Sequence, residues 1–144
     1  MNVMNAPQLQ EFSDDLDKIA VAMGAIRQNE KLGNGNPISE QEQDELLISQ
    51  IKILRASARF SAAIVVLESS QIKTQLDALK SASAEMEKTL SKMKTVQDVI
   101  DFSTLAVTVA MEVVGGDITG VSASLDKLLG SIKEINKPQN RNQA

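Results

Sequence analysis

The sequence predicts an all-α protein, an elongated antiparallel helical bundle or coiled coil built on one long central helix at about 40–94. Apolar residues recur at alternating spacings of three and four residues in four segments, which is typical of helices that each bury one seam. No Gly or Pro occurs between Pro37 and Gly115, so nothing in that stretch punctuates a helix. The 144 residues are 42% hydrophobic and 24% charged, which suits one globular domain over 1–144.

The first helix is predicted at residues 8–31. Three aspartates near its start, with Arg27 and Lys31 near its end, suit the helix dipole, which favours negative charge at the N-terminus and positive charge at the C-terminus. Its large apolar side chains share one face, which we expect to be buried. The seam of this helix consists of Leu9, Phe12, Leu16, Ile19, Met23 and Ile26.

The central helix is predicted to begin after Ser39, because Glu42 three residues later completes a capping box. At ~1.5 Å per residue, a helix over 40–94 is about 80 Å long, so either the molecule is elongated or the helix bends. A slip in the apolar phase at Ser69 and Ser70 is the favoured bend. The central seam consists of Leu47, Ile51, Leu54, Ile72, Leu76, Leu79, Met86, Leu90 and Met93.

The segment at 96–114 has two periodicities. Large apolar residues alternate with smaller or polar ones from Leu105 to Val113, which is typical of a strand. A helical seam also runs through the segment, and either Thr95 with Asp98 caps a new helix or the central helix continues into it. We therefore favour a helix and keep the strand as the alternative.

The last helix is predicted at 117–136, after a break at Gly115 and Gly116 and with Asp117 as its cap. As antiparallel neighbours, the first helix is expected to cover the first half of the central helix, and the last helix its second half. The seam of the last helix consists of Ile118, Val121, Leu125, Leu128, Ile132 and Ile135.

The composition excludes several kinds of active site. The chain has no His, Cys, Trp or Tyr, which removes disulfides, thiolate nucleophiles, His-based proton transfer and Cys or His metal sites. Asp14, Asp15 and Asp17 point in different directions on a helix, and no calcium-loop glycine follows them. The Gly-Asn-Gly-Asn run at 33–36 lacks the Lys of a phosphate loop and is predicted to be a turn. We expect no catalytic residue, no metal, no cofactor and no enzymatic activity.

The charge balance disfavours nucleic acid as a partner. The 19 acidic and 15 basic residues give a net charge of −4, whereas binding to a phosphate backbone needs clustered cations. Lys52, Arg55 and Arg59 share one helix face, either as solvated or internally paired charges or as a patch for an anionic partner. The N-terminus shows no basic and apolar leader, so we expect a cytoplasmic protein or export without a cleaved signal peptide. Residues 1–7 and 138–144 are expected to be flexible ends.

An apolar segment over 99–125 is a candidate membrane-active element. It exceeds the ~20 residues that cross a bilayer, but three acidic residues interrupt it, so membrane contact is expected to be conditional rather than constitutive. A long heptad helix, an apolar stretch with a Gly-Gly break and a returning helix together resemble, over 39–137, the layout of bacterial α-helical pore-forming toxins and secretion-system translocators. The candidate membrane residues are Phe102, Leu105, Val107, Val109, Met111, Val113, Val114, Gly115 and Gly116.

Two functional hypotheses follow from these patterns. The first is a non-enzymatic scaffold, adaptor or secretion-associated protein that acts by protein–protein interaction or self-assembly, because an uncovered apolar seam recruits another chain. Its partner is another protein or a second copy of itself, with a homodimer as the first expectation. The second is a pore-forming or translocator-like protein that inserts its apolar segment at 99–125. The stretch at 60–67 is apolar on more than one face, which is typical of a surrounded helix or of a self-association surface.

Overall fold

A computed structural model describes residues 6–62, 77 and 86–136 of the chain. Within these residues the chain forms five α-helices that pack against one another and no β-strand, which confirms the predicted all-α bundle. The helices are α1 (Ala6–Asn29), α2 (Glu40–Ala62), α3 (Met86–Ser91), α4 (Val96–Gly115) and α5 (Ile118–Asn136).

The bundle consists of two antiparallel helix pairs that share one core. α1 and α2 form the first pair, and α4 and α5 form the second. α2 joins the two pairs, because it packs against both α1 and α4. The short helix α3 contacts α1 and α5, so the last helix reaches α3 as expected, but its main partner is α4.

A single hydrophobic core draws side chains from all five helices. The rings of Phe12 on α1 and Phe60 on α2 stack with their centroids 4.8 Å apart and their planes inclined by 24°. The seams predicted for α1 and α5 lie in this core, with Ile135 half-buried at its edge. The fully or nearly fully buried members are Phe12, Leu16, Ile19, Met23, Ile26, Val121, Leu125, Leu128 and Ile132. The side chains of Leu9 and Ile118 lie outside the part that the structure describes.

The predicted helix caps are confirmed. At the start of α2, the Ser39 amide donates to Glu42 Oε1 over 2.9 Å and the Glu42 amide donates back to Ser39 Oγ over 3.1 Å. At the start of α4, the Asp98 amide donates to Thr95 Oγ1 over 3.1 Å. These bonds satisfy amides that the first turn of a helix leaves without an intrahelical acceptor.

The turn between α4 and α5 occurs at the predicted Gly-Gly break. Gly116 has a φ of 72°, a left-handed conformation that glycine adopts without a steric penalty. Asp117 then caps α5, because its Oδ1 accepts from the Gly120 amide over 2.9 Å. α4 is a helix over its whole predicted length, so the strand alternative for 96–114 is wrong.

The first helix is shorter at its C-terminus than predicted. α1 ends at Asn29, Glu30 has a φ of 57°, and Lys31 forms an isolated antiparallel bridge with Pro37. The loop at 33–36 is a turn, as predicted, and it closes with a 2.8 Å bond from the Leu32 amide to the Asn36 carbonyl. The Lys31–Pro37 bridge and the Leu32–Asn36 hydrogen bond use backbone groups that a longer α1 would need, so the helix ends at Asn29.

Of the span predicted as the central helix, the structure describes residues 40–62, 77 and 86–94. The bend predicted at Ser69 and Ser70, the apolar residues of 63–67, and the seam residues Ile72, Leu76 and Leu79 all lie outside the described residues. At the far end, Leu90 and Met93 are buried, whereas the side chain of Met86 is not described. The prediction of a helix to residue 94 is wrong by three residues, because α3 ends at Ser91 and a turn leads into α4. The predicted flexible ends likewise lie outside the described residues, except that α1 already includes Ala6 and Pro7.

Candidate interaction surface

The outward face of α2 carries the seam that we predicted for this helix. Leu47, Ile51 and Leu54 are 37%, 40% and 46% exposed, so the expectation that α1 covers them is wrong. The core takes a different face of α2, with Leu46, Ile53 and Phe60 as its large residues. The small residues Ser49, Ala56 and Ser57 complete that inner face, which allows close packing of α1 and α4 but weakens its hydropathy signal.

Four large aliphatic side chains form a stripe on this outward face. At about 100° per residue, Leu47, Ile51 and Leu54 fall within about 60° of one another on the helix. Ile48, which we did not assign to the seam, lies beside them and is 55% exposed. We call Leu47, Ile48, Ile51 and Leu54 the α2 stripe. Among the described residues one other large hydrophobic side chain is exposed, Val21 on α1.

Charged residues flank the α2 stripe along the helix. Glu40 and Asp44 precede it, and Lys52, Arg55 and Arg59 lie beside and after it. All five side chains are exposed, and no carboxylate within the described residues pairs with the three cations. The outward face is therefore acidic at its N-terminal end, apolar in the middle and basic towards its C-terminal end.

A chain of hydroxyl groups, buried at Ser13 and Ser57 and exposed at Ser61, anchors α2 to α1. Ser13 lies 2.8 Å from Ser61 and 2.9 Å from Ser57, and Ser57 donates to Asp17 Oδ1 over 2.8 Å. Each hydroxyl has one proton, so the donors run in order from Ser61 through Ser13 and Ser57 to the Asp17 carboxylate. Hydrogen bonds to an ionised acceptor are among the stronger ones in proteins, and this network fixes the register of the two helices.

A second polar contact joins the same helices near the loop. Gln50 Nε2 donates to the Ala20 carbonyl over 2.9 Å, and Arg27 donates to Gln50 Oε1 over 2.9 Å. The Gln50 side chain crosses α1 at Gly24, where a Cβ atom would lie 2.8 Å from Gln50 Nε2. Glycine at position 24 therefore leaves room for the Gln50 side-chain amide, and the two Gln50 hydrogen bonds hold α2 against α1.

A cleft of about 350 Å³ lies on another side of α1. Its walls are formed by the C-terminal half of α1, the start of the following loop and Leu90 of α3, and they are mostly apolar. Val21 lines the cleft, and Asn29 and Lys31 supply polar atoms at one end. The described residues that line it include no charged pair and no nucleophile with a base partner.

Two carboxylates approach each other at the turn between α4 and α5. Glu112 Oε1 accepts from Ser124 Oγ over 2.8 Å, while its buried Oε2 has no hydrogen-bond partner. A Cβ atom on Gly120 would clash with Glu112 Oε2 and with the Asp117 carboxylate, so both groups depend on glycine there.

The described residues contain no group of three His, Cys, Asp or Glu side chains placed to hold a metal ion. The three aspartates of α1 are likewise dispersed, with Asp14 accepting from Gln10 and Asp17 from Ser57.

The candidate membrane segment is folded into the helical pair α4 and α5. Phe102, Val109 and Val113 are buried in the core. Leu105, Val107, Met111 and Val114 are half-buried against it, Gly115 ends α4, and Gly116 forms the turn. Among the helices that the structure describes, none combines the length and the apolar character needed to cross a bilayer.

Comparisons with known proteins add no relative to these observations. No protein-family model matches the chain, and neither the curated proteins nor the solved structures give a match. The outward face of α2 is thus the candidate site on structural grounds alone.

Proposed function

We propose that this chain is a non-enzymatic helical-bundle protein that acts by protein–protein interaction, with the outward face of α2 as its docking surface. The observation that carries the proposal is the α2 stripe, four large aliphatic side chains that remain 37–55% exposed on a helix whose other face is fully packed. Contiguous apolar surface rimmed by charge marks interaction sites in proteins. The absence of His and Cys from the sequence supports a function without acid–base or thiolate chemistry.

The energy available from covering the stripe is sufficient for docking. Fully burying a Leu or Ile side chain is worth about 1.5–3 kcal/mol, and about half of each stripe side chain is still exposed. Covering all four therefore yields roughly 3–6 kcal/mol before the entropic cost of association, which is consistent with a specific but reversible contact.

The helix that carries the stripe is preorganised for binding. α2 begins with a reciprocal capping box and is held to α1 by the serine chain and the Gln50 contacts. A partner therefore does not have to pay for folding this helix, which raises affinity for a given contact area. Apolar residues spaced three and four apart on such a helix suit a partner helix or an apolar groove.

Site-specific photo-cross-linking in living cells tests the proposal. A benzoylphenylalanine residue at Ile51 is expected to give discrete protein adducts, because this position lies in the middle of the stripe. The same residue at Gln28, an exposed polar position of α1, is the matched control and is expected to give none. If benzoylphenylalanine at Ile51 yields no protein adduct above the Gln28 control, the proposed function is wrong. Lipid adducts in place of protein adducts would favour the membrane-active alternative.

A further inference from the structure

The outward face of α2 has the charge pattern that a self-complementary interface needs. Glu40 and Asp44 lie on the same side of the helix as the stripe, at its N-terminal end, and Arg55 and Arg59 flank it at the C-terminal end. A two-fold interface uses one surface twice, so each end of that surface must be complementary to the opposite end. Here one end is acidic, the other is basic, and the apolar residues lie between them.

We infer that a second copy of this chain covers the α2 stripe, with the two α2 helices antiparallel about a two-fold axis near Ile51. The inference rests on the proposed function, for which it names the partner. An antiparallel pair sets the acidic end of each helix beside the basic end of the other, whereas a parallel pair sets like charges side by side.

The spacing of residues on the outward face is close to symmetric about the same point, because Asp44 and Ala58 are each seven residues from Ile51, whereas Leu47 and Leu54 are four and three residues from it. Asp44, Leu47, Ile51, Leu54 and Ala58 follow one another at spacings of three, four, three and four, with Ile51 at the centre. With the axis at Ile51, residue 58 of the second copy lies at the level of Asp44, and its Arg59 lies between the levels of Glu40 and Asp44. Ala58 and Ala62 are small and exposed, so the two backbones can approach closely at the outer ends of the pair.

The area of the proposed α2–α2 interface indicates how tightly the two copies bind. α2 has 23 residues and is therefore about 35 Å long, and a contact strip about 12 Å wide buries roughly 400 Å² on each copy. The total of about 800 Å² lies below the ~1,200 Å² at which stable interfaces begin. We therefore expect a reversible monomer–dimer equilibrium rather than a permanent dimer.

Sedimentation velocity of the purified full chain over about 10 µM to 1 mM tests the partner, since weak dimers populate in this range. The unsubstituted chain is expected to dimerise with rising concentration. Two double variants reverse the charge at one end of α2: Glu40→Lys with Asp44→Lys, and Arg55→Glu with Arg59→Glu. Each is expected to raise the dimer Kd at least tenfold, because it places like charges opposite each other at both ends of the interface. An equimolar mixture of the two charge-reversed chains is expected to dimerise again. Lys127→Glu with Lys133→Glu, on exposed positions of α5, is the charge-matched control and is expected to leave Kd unchanged.

Disulfide trapping tests whether the two α2 helices are antiparallel. Because the chain has no native Cys, only the introduced cysteines can cross-link. A disulfide requires Cα atoms about 4.4–6.8 Å apart. Ile51→Cys lies on the proposed axis and is expected to cross-link to itself. Leu47→Cys is expected to fail with itself, because the two copies of residue 47 are about 12 Å apart along the pair, but to cross-link to Leu54→Cys on the second copy. Efficient Leu47→Cys self-cross-linking would show a parallel pair and overturn the orientation.

The two experiments separate failure of this inference from failure of the proposed function. A chain that stays monomeric throughout the concentration range, or a dimer that is indifferent to the charge reversals, overturns the second copy as the partner. Protein adducts at Ile51 that contain a different protein would then retain the docking surface while replacing its occupant. Absence of any adduct, together with a monomeric chain, overturns both.

Discussion

Two isoleucines that lie two residues apart on α2 allow a direct test of how this helix is oriented. Ile53 is 0% exposed and lies in the core, whereas Ile51 is 40% exposed and lies in the α2 stripe. We predict that Ile53→Ala destabilises the fold strongly and that Ile51→Ala does not, although the chemical change is identical.

The magnitudes follow from burial. Truncating a fully buried Ile to Ala removes its transfer free energy and leaves a cavity, which costs about 2–5 kcal/mol. At Ile51 the atoms removed are partly in water already, and alanine has the higher helix propensity by a few tenths of a kcal/mol, so we expect a loss of about 1 kcal/mol or less. The difference between the two variants is then at least about 1 kcal/mol.

Urea denaturation followed by circular dichroism measures this difference. Both variants are compared with the unsubstituted chain at a low protein concentration, where self-association does not contribute to stability. Equal losses, or a larger loss for Ile51→Ala, would refute the assigned orientation of α2 and with it the exposure of the stripe.

Three further predictions concern the same fold. Gly24→Ala is expected to lower stability by about 1 kcal/mol, because the added Cβ displaces Gln50 and breaks two hydrogen bonds worth about 1 kcal/mol each, which outweighs the gain in helix propensity. The matched control is Gly130→Ala, which has nothing within 4 Å of its Cβ and is expected to raise stability by about 0.5–1 kcal/mol. A net gain in stability for Gly24→Ala would contradict the role of Gln50. Leu16→Asp sets a charge at a position that is 1% exposed and is expected to cost several kcal/mol, so an unchanged melting curve would contradict the packing of α1. Thr95→Ala is expected to lower the free energy of unfolding by about 1 kcal/mol, because it removes the cap of α4. Thermal melting measures this loss, and an unchanged melting temperature would refute it.

The helix ends were predictable because their signals are local. Ser39 with Glu42 and Thr95 with Asp98 are pairs three residues apart, and they form hydrogen bonds that do not depend on the rest of the fold. The Gly-Gly break before Asp117 is equally local, since the left-handed Gly116 ends one helix and Asp117 begins the next. The ambiguous segment at 96–114 became a helix because its cap and its buried face agree with each other, whereas its strand-like alternation has no strand to pair with among the described residues.

The candidate site was predicted only in part. Leu47, Ile51 and Leu54 were identified as an apolar row, but we expected α1 to cover them, and Ile48 was missed. A signal was present, because residues 46–54 contain six large aliphatic side chains, more than one seam of a helix that length uses. Such a surplus predicts two apolar faces without indicating which of them faces the core. The serine chain and the crossing of Gln50 over Gly24 left no recognisable pattern, because they join residues 26–48 positions apart.

The sequence by itself determined where α2, α4 and α5 begin, which face of α1 and α5 is apolar, and that His and Cys chemistry is absent. These properties depend on hydrogen bonds and periodicity within a few residues, so they can be read one segment at a time. Only the tertiary structure decided which face of α2 is inside. Phe60 stacks on Phe12, and the small residues at 49, 56 and 57 let α1 and α4 pack closely, so the helix buries its less hydrophobic-looking side. The more conspicuous row of Leu and Ile is left in water because close packing between helices depends on the shapes of two surfaces, and the sequence of one helix specifies only one of them.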